Sequence, residues 1–139
     1  MASYDSGRIR DYWMLVDYGA GADTLQHIDT PKGKQGFLWD YGCHTVTELF
    51  AGSSTTPMIS VGTTGNADAY GEEFDYGAAT VAGGGKTIRS TYAETDAGWA
   101  TYMVDQNLPA DTIVMVSHIA ATGSPAGTAI GGVSIIWAD

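Results

Sequence analysis

The sequence predicts an all-β protein, an antiparallel sandwich or barrel of about eight strands with one short helical turn near residues 66–74. Three observations carry this expectation. Short stretches rich in aromatic and β-branched residues recur at roughly 8–12-residue spacing, separated by turn residues. Gly fills 19 of 139 positions, about twice its usual share, which favours many turns. Charged residues make up 16% of the chain against roughly 25% in soluble domains, which leaves little exposed helix.

The elements follow in order. "YWMLVDY" (12–18) is aromatic and β-branched, and "TLQHID" (24–29) alternates apolar and polar residues. "KQGFLWDYG" (34–42) and "HTVTELF" (44–50) come next, the second placing Val46 and Phe50 on one face. "TPMISVG" (56–62) starts after a Ser-Thr-rich turn. In "NADAYGEEF" (66–74), Asn66 can cap a single helical turn, and Gly71 argues against a longer one. "KTIRSTYAE" (86–94) and "WATYMVD" (99–105) read as further strands. The strongest strand patterns are "DTIVMVSHIAAT" (111–122) and "GTAIGGVSIIWAD" (127–139). "ATVAGGGK" (79–86) is a Gly-rich loop tip, and "ATGSPAGTA" (121–129) joins the last two strands.

Length and charge bound the rest. A chain of 139 residues suits one domain, taken as 11–139, preceded by an arm, 1–10, that contains two of the six cations, Arg8 and Arg10. Six basic residues against sixteen acidic ones give a formal charge of -10, so nucleic acid and anionic membranes are poor partners. No apolar run approaches the ~20 residues of a membrane span. The opening stretch lacks the apolar core of a signal peptide, which sets the expectation of a protein made in a cytoplasm. The single cysteine, Cys43, reads as a buried, inert thiol.

Several stretches invite a chemical reading, and each has a plainer one. "TVAGGGKT" (80–87) ends like a phosphate-binding loop at Gly85, Lys86 and Thr87, but Thr80 stands where the first Gly is needed. Counted as a calcium loop from Asn66, Asp68 and Gly71 fit, while Tyr70 and Gly77 stand at oxygen-ligand positions; a capped turn with solvated carboxylates fits better. His27, His44 and His118 lie on different expected strands and read as locally bonded histidines rather than as a zinc site. "GSPAG" (123–127) lacks the spacing of a nucleophile elbow. Glu72, Glu73 and Asp75 could serve as a glycosidase pair, and Trp13, Trp39, Trp99 and Trp137 as a sugar platform. Solvated acids and core tryptophans are the simpler readings. The sequence thus sets the expectation of no catalytic residue, no cofactor and no metal ligand, in a protein that is not an enzyme and works through its surfaces.

"MISVGTTGNADAYGEEFDYG" (58–77), followed by "DTIVMVSHIAATGSPAGTAIGGVSIIWAD" (111–139), resembles the small jelly-roll structural proteins of tailed-phage virions. The shared features are a strand ending Ile59-x-Val61-Gly62, a descent through Asp68-Ala69-Tyr70, and a closing hairpin whose turn runs from Thr122 through Gly123, Pro125 and Gly127. "AGGGK" and "STYAETDAGW", between the matching parts, have no counterpart in that pattern. The resemblance implies a jelly-roll head-decoration (cement) protein, often a homotrimer, on the outer capsid surface, with the major capsid protein as its partner. A carbohydrate- or receptor-binding virion module at a tail or fibre tip is the alternative. Either way, with few cations available, the contacts are expected to be apolar, with the arm reaching a neighbour.

Overall fold

The computed structural model describes residues 4–51, 56–75 and 85–138. The strands are β1 (Tyr4–Asp17), β2 (Thr24–Asp29), β3 (Gly36–Ala51), β4 (Met58–Gly62), β5 (Gly71–Asp75), β6 (Lys86–Thr87), β7 (Asn107–Leu108), β8 (Ile113–Ile119) and β9 (Ala126–Ala138). Two short helices, α1 (Ile88–Thr91) and α2 (Ala97–Tyr102), lie between β6 and β7. Sheet I has the order β1-β9-β3-β6, with β7 also on β3; sheet II has the order β2-β8-β4-β5. Every pairing is antiparallel: β1 with β9, β2 with β8, β3 with β6 and β7, and β4 with β5. These nested pairs are a long hairpin rolled into two facing sheets, the winding of a jelly roll.

The core lies between the sheets. Sheet I contributes Val16, Leu38, Tyr41, Cys43, Val133, Ile135 and Trp137, and sheet II contributes Ile28, Ile59, Val61, Phe74, Val114 and Val116. Along β8, period-two geometry turns Val114, Val116 and His118 inward, and Met115 and Ser117 on the opposite face are buried as well. Cys43 is buried, and burial raises its thiol pKa to about 11, so it is the inert thiol expected.

The structure departs from the sequence expectation in three places. The strands expected at 34–42 and 44–50 are one long strand, β3. It keeps going by bending at Gly42 (φ 150°) and Thr45 (φ 51°) instead of ending there. The helical turn expected near 66–74 is instead an open turn followed by strand β5. The Asn66 carbonyl accepts from the Thr63 and Ala69 N–H groups, and pairing Phe74 with Ile59 buries Phe74 completely. The strands expected at 86–94 and 99–105 contain α1 and α2. Thr87 and Ser90 form a reciprocal capping box that starts α1, and Ile88 and Trp99 anchor the two helices in the core. Local β-propensity lost there to capping and to these two anchors. Residues 4–10, read from sequence as an arm, have backbone in β1, where Ile9 and Arg10 pair with Ile136 and Ile135.

Candidate interaction surface

The acidic residues that invited a chemical reading are tied to local structure. Asp17 accepts from Gly19 N, Asp23 from Ala120 N, Glu48 from Gly127 N, and Asp111 from Gly33 N. Glu72 accepts from the next residue's amide, and Thr56 donates to Asp75. Chain amides thus take up charges that six cations cannot pair. Among the described residues, no group of three His, Cys, Asp or Glu side chains could hold a metal ion. Of the phosphate-loop stretch, residues 80–84 lie outside the described residues; Lys86 donates to the Asp75 carbonyl and lies 5.0 Å from the Phe74 ring centroid.

The four tryptophans do not form one platform. Trp137 packs edge-on against Tyr12 and donates to its hydroxyl. Trp39 and Trp99 flank Arg89, whose guanidinium carbon lies 3.3 Å and 4.8 Å from their ring centroids. Arg89 Nε also donates to the Trp39 carbonyl (2.6 Å), and its backbone N–H donates to Asp40. A shallow groove of about 410 Å³ lies between Gln35, Asp105, Asn107, Leu108 and Pro109, and the Asp105 carboxylate there caps the Asn107 amide.

Trp13 is the tryptophan of sheet I's outer face, and the register lays that face out in rows across β1, β9 and β3. The first row is Ile9, Ile136 and Phe37; the second is Asp11, Ser134 and Asp40. The third is Trp13, Gly132 and Gly42; the fourth is Leu15, Ile130 and His44; the fifth is Asp17, Thr128 and Glu48. Two rows, apolar but for exposed His44, therefore enclose a polar row and an aromatic–glycine row, and on the central strand Ile136 and Ser134 are already buried. Leu15 is 66% exposed and Ile9 37%.

The polar row is satisfied within the chain. Trp13 Nε1 donates to Ser134 Oγ (3.1 Å), which donates to Asp11 Oδ1 (2.7 Å). Burial pushes the Asp40 carboxyl above its usual pKa, an effect opposed by hydrogen bonds from the Arg89 and Tyr41 amides and from the Thr87 side chain and by the Arg89 charge. Beside them, the His44 ring lies 4.9 Å from the Trp13 ring, over the space left by Gly132. Gly132 has φ 157°, and a Cβ there would collide with the Tyr12 carbonyl.

The histidines and acids singled out from sequence are thus scattered. His27 is exposed on β2, His44 sits on this face, and His118 is wholly buried on β8. Sequence reasoning missed the face itself. Its signal was present in "IRDYWMLVD", where both alternating sets are largely apolar, the mark of a strand with contacts on both faces. The clamp formed by Arg89 was also missed, because it joins residues distant in sequence.

The chain is an antiparallel jelly-roll sandwich whose sheet I carries exposed Ile9 and Leu15 on its outer face beside polar groups bonded within the chain. No family model, curated protein or solved structure matches the chain.

Proposed function

We propose that this protein is a structural component of a tailed-phage virion: a head-decoration (cement) protein, acting at the outer capsid surface through contacts with its own copies and with the major capsid protein. The observation that carries the reading is the outer face of sheet I, where exposed Ile9 and Leu15 flank polar groups already bonded within the chain. Such a face gains by being covered, since its apolar area leaves water at little polar cost. The jelly-roll winding agrees with what the sequence resemblance implies. The scattered tryptophans give the carbohydrate-binding alternative no stacking platform. In this reading the protein has no catalytic step and needs no cofactor, nucleic acid or membrane.

The test is to mix the purified protein with expanded phage heads that lack a decoration layer and to measure occupancy by co-sedimentation and particle imaging. Saturable binding, lost on Leu15→Glu, is the expected outcome. Wild-type protein that stays in the supernatant at every concentration overturns the reading.

A further inference from the structure

We propose that β2 is an acid-released edge strand, tied across the sandwich by a hydrogen-bond relay through Gln26 that holds only while the buried His118 beside it is uncharged. This stands whichever outer face the protein works through.

The two sides of the sandwich are tied differently. On the β3–β5 side, the Tyr41 hydroxyl shares its proton between the carbonyls of Glu72 (2.8 Å) and Tyr102 (2.9 Å). Burial pushes the pKa of that hydroxyl up, so this tie keeps its proton through the acid and neutral range. On the β1–β2 side, His118 Nε2–H donates to Gln26 Oε1 (3.2 Å), and Gln26 Nε2 donates to the Tyr12 carbonyl (3.3 Å). This relay runs from β8 through β2, both in sheet II, to β1 in sheet I. Because the Gln26 amide nitrogen faces a carbonyl, its oxygen faces the ring, which puts the ring proton on Nε2.

Little else holds β2. It is an edge strand with one ladder, to β8. Leu25, His27 and Asp29 are exposed, Thr24 and Gln26 are half-buried, and Ile28 is the one buried side chain of the strand. At its ends, the Asp23 carboxylate accepts from the Ala120 amide, and Thr30 bonds with Thr112. A strand with so few buried contacts opens more readily than the core.

His118 is the trigger. Its Nδ1 has no hydrogen-bond partner, and the groups packed against it are uncharged. They are Thr24 and Gln26 on β2, Ile59 on β4, the Tyr18 hydroxyl after β1, and Gly131 on β9. Gly131 shares its row with Met14 and with Cys43, whose thiol stays neutral because burial raises its pKa to about 11. Asp23, His27 and Asp29, the titratable groups on and beside β2, are exposed to solvent. A proton on Nδ1 is therefore a buried charge without an acceptor, and burial lowers the ring's pKa from 6.5 to about 4. The closed form is thus fully favoured above about pH 6.5 and loses ground as pH falls towards 4. Turning the ring to water relieves the charge, and the ring cannot leave without dropping Gln26. Release of β2 then leaves β8 as an edge with unpaired backbone groups.

Hydrogen exchange of the full chain tests this, read by peptide and against urea at pH 7, 5 and 4, with the intrinsic pH dependence of amide exchange removed. The amides of 24–29 are expected to exchange through a small, urea-insensitive opening. It grows about twentyfold from pH 7 to pH 5 and about a hundredfold by pH 4. The amides of β5 exchange through a urea-sensitive global opening instead. His118→Gln abolishes the acid growth, and His27→Gln keeps it. Gln26→Met, which spares the histidine, raises the β2 opening about tenfold already at pH 7, the worth of the lost hydrogen bonds. A β2 opening that ignores pH, or that keeps its acid growth in His118→Gln, overturns the proposal. So does a single urea-sensitive opening shared by β2 and β5 at every pH. Wild-type protection of β2 in Gln26→Met at pH 7 also overturns it, and that result is readable even where His118→Gln does not fold.

Discussion

On the outer face of sheet I, Ile9, Trp13, Leu15, Ile130 and Phe37 stand around carboxylates already held by Ser134 and by backbone amides. On the outer face of sheet II, exposed Asp29, Glu73 and Asp75 share the surface with exposed Leu25 and Ile113, half-buried Met58 and Ile119, and buried Met115, Ser60 and Ser117. The inner faces differ. Sheet I turns Leu38, Tyr41, Val133 and Ile135 inward, whereas sheet II turns Gln26 and His118 into the core. Both outer faces thus mix apolar and acidic side chains, and the sheets differ most on their inner faces, where sheet II carries the polar Gln26 and His118. What sets the outer face of sheet I apart is that Asp11 and Asp40 are held within the chain beside exposed Ile9 and Leu15.

The largest effect should come from breaking sheet I at its narrowest row. Gly132→Ala puts a Cβ into the Tyr12 carbonyl at a φ of 157°, which parts β1 from β9 or forces both to shift. Strain and overpacking together should cost roughly 4 kcal/mol. Gly65→Ala, in the connection before β5, meets nothing within 4 Å and serves as the control. Urea midpoints of both variants check this; equal midpoints would show that the row is not tightly packed.

Sheet II should fail through its buried histidine. His118 is 0% exposed, its Nε2–H donates to Gln26 Oε1 (3.2 Å), and its Nδ1 has no hydrogen-bond partner. From β9 and the turn after β1, it is faced near Gly131 by the uncharged Tyr18 hydroxyl. Burial without a counter-charge lowers its pKa from 6.5 to about 4. The folded value is depressed, so the unfolded chain takes up the proton first. The stability this group contributes is complete above about pH 6.5 and is lost as pH falls towards 4, by roughly 3 kcal/mol. His118→Gln should flatten the stability profile between those limits. An unchanged slope in the variant would assign the acid sensitivity to other groups.

The strand pattern was legible because period-two alternation is local. The cores of β2, β4, β8 and β9 were readable from their own residues, and so was buried Cys43. The face of sheet I was not, because its meaning lies in rows that join residues more than a hundred positions apart, such as Ile9 and Ile136. Helices α1 and α2 were misread as strands because "TIRSTY" and "WATYMV" carry β-formers. Capping by Thr87 and Ser90 and anchoring by Ile88 and Trp99 outweighed that preference.

Arg89→Ala sharpens the comparison at the far edge of sheet I. The guanidinium stacks on Trp39 at a bulge of β3, touches Trp99 of α2, and donates to the Trp39 carbonyl. Its ion pair with the largely exposed Glu94 adds little. Losing the stack and the charged hydrogen bond should cost about 2–3 kcal/mol, and Arg89→Lys should recover only part of it, because an ammonium cannot stack flat. Thermal melts with Trp fluorescence check both. Full recovery by Lys would mean that charge alone matters there.

The smallest effect on folding separates the two outer faces most cleanly. Leu15 on sheet I and Leu25 on sheet II are both exposed, 66% and 53%. Replacing either with Glu removes almost no packing, so each variant should keep its stability within about 0.5 kcal/mol. The two should then diverge in binding. Leu15→Glu puts a charge beside Ile130, where a carboxylate covered by a binding partner would be desolvated without a counter-charge. Leu25→Glu adds one more acid to a face that already displays Asp29 and Glu73. Attachment to phage heads should therefore be lost with Leu15→Glu and kept with Leu25→Glu. Wild-type attachment should also survive a rise from ~0.05 to ~1 M salt, because screening weakens exposed ion pairs and leaves apolar burial intact. Equal losses in both variants, or release by salt alone, would put the working contact on the acidic face of sheet II and reverse the assignment of the two sheets.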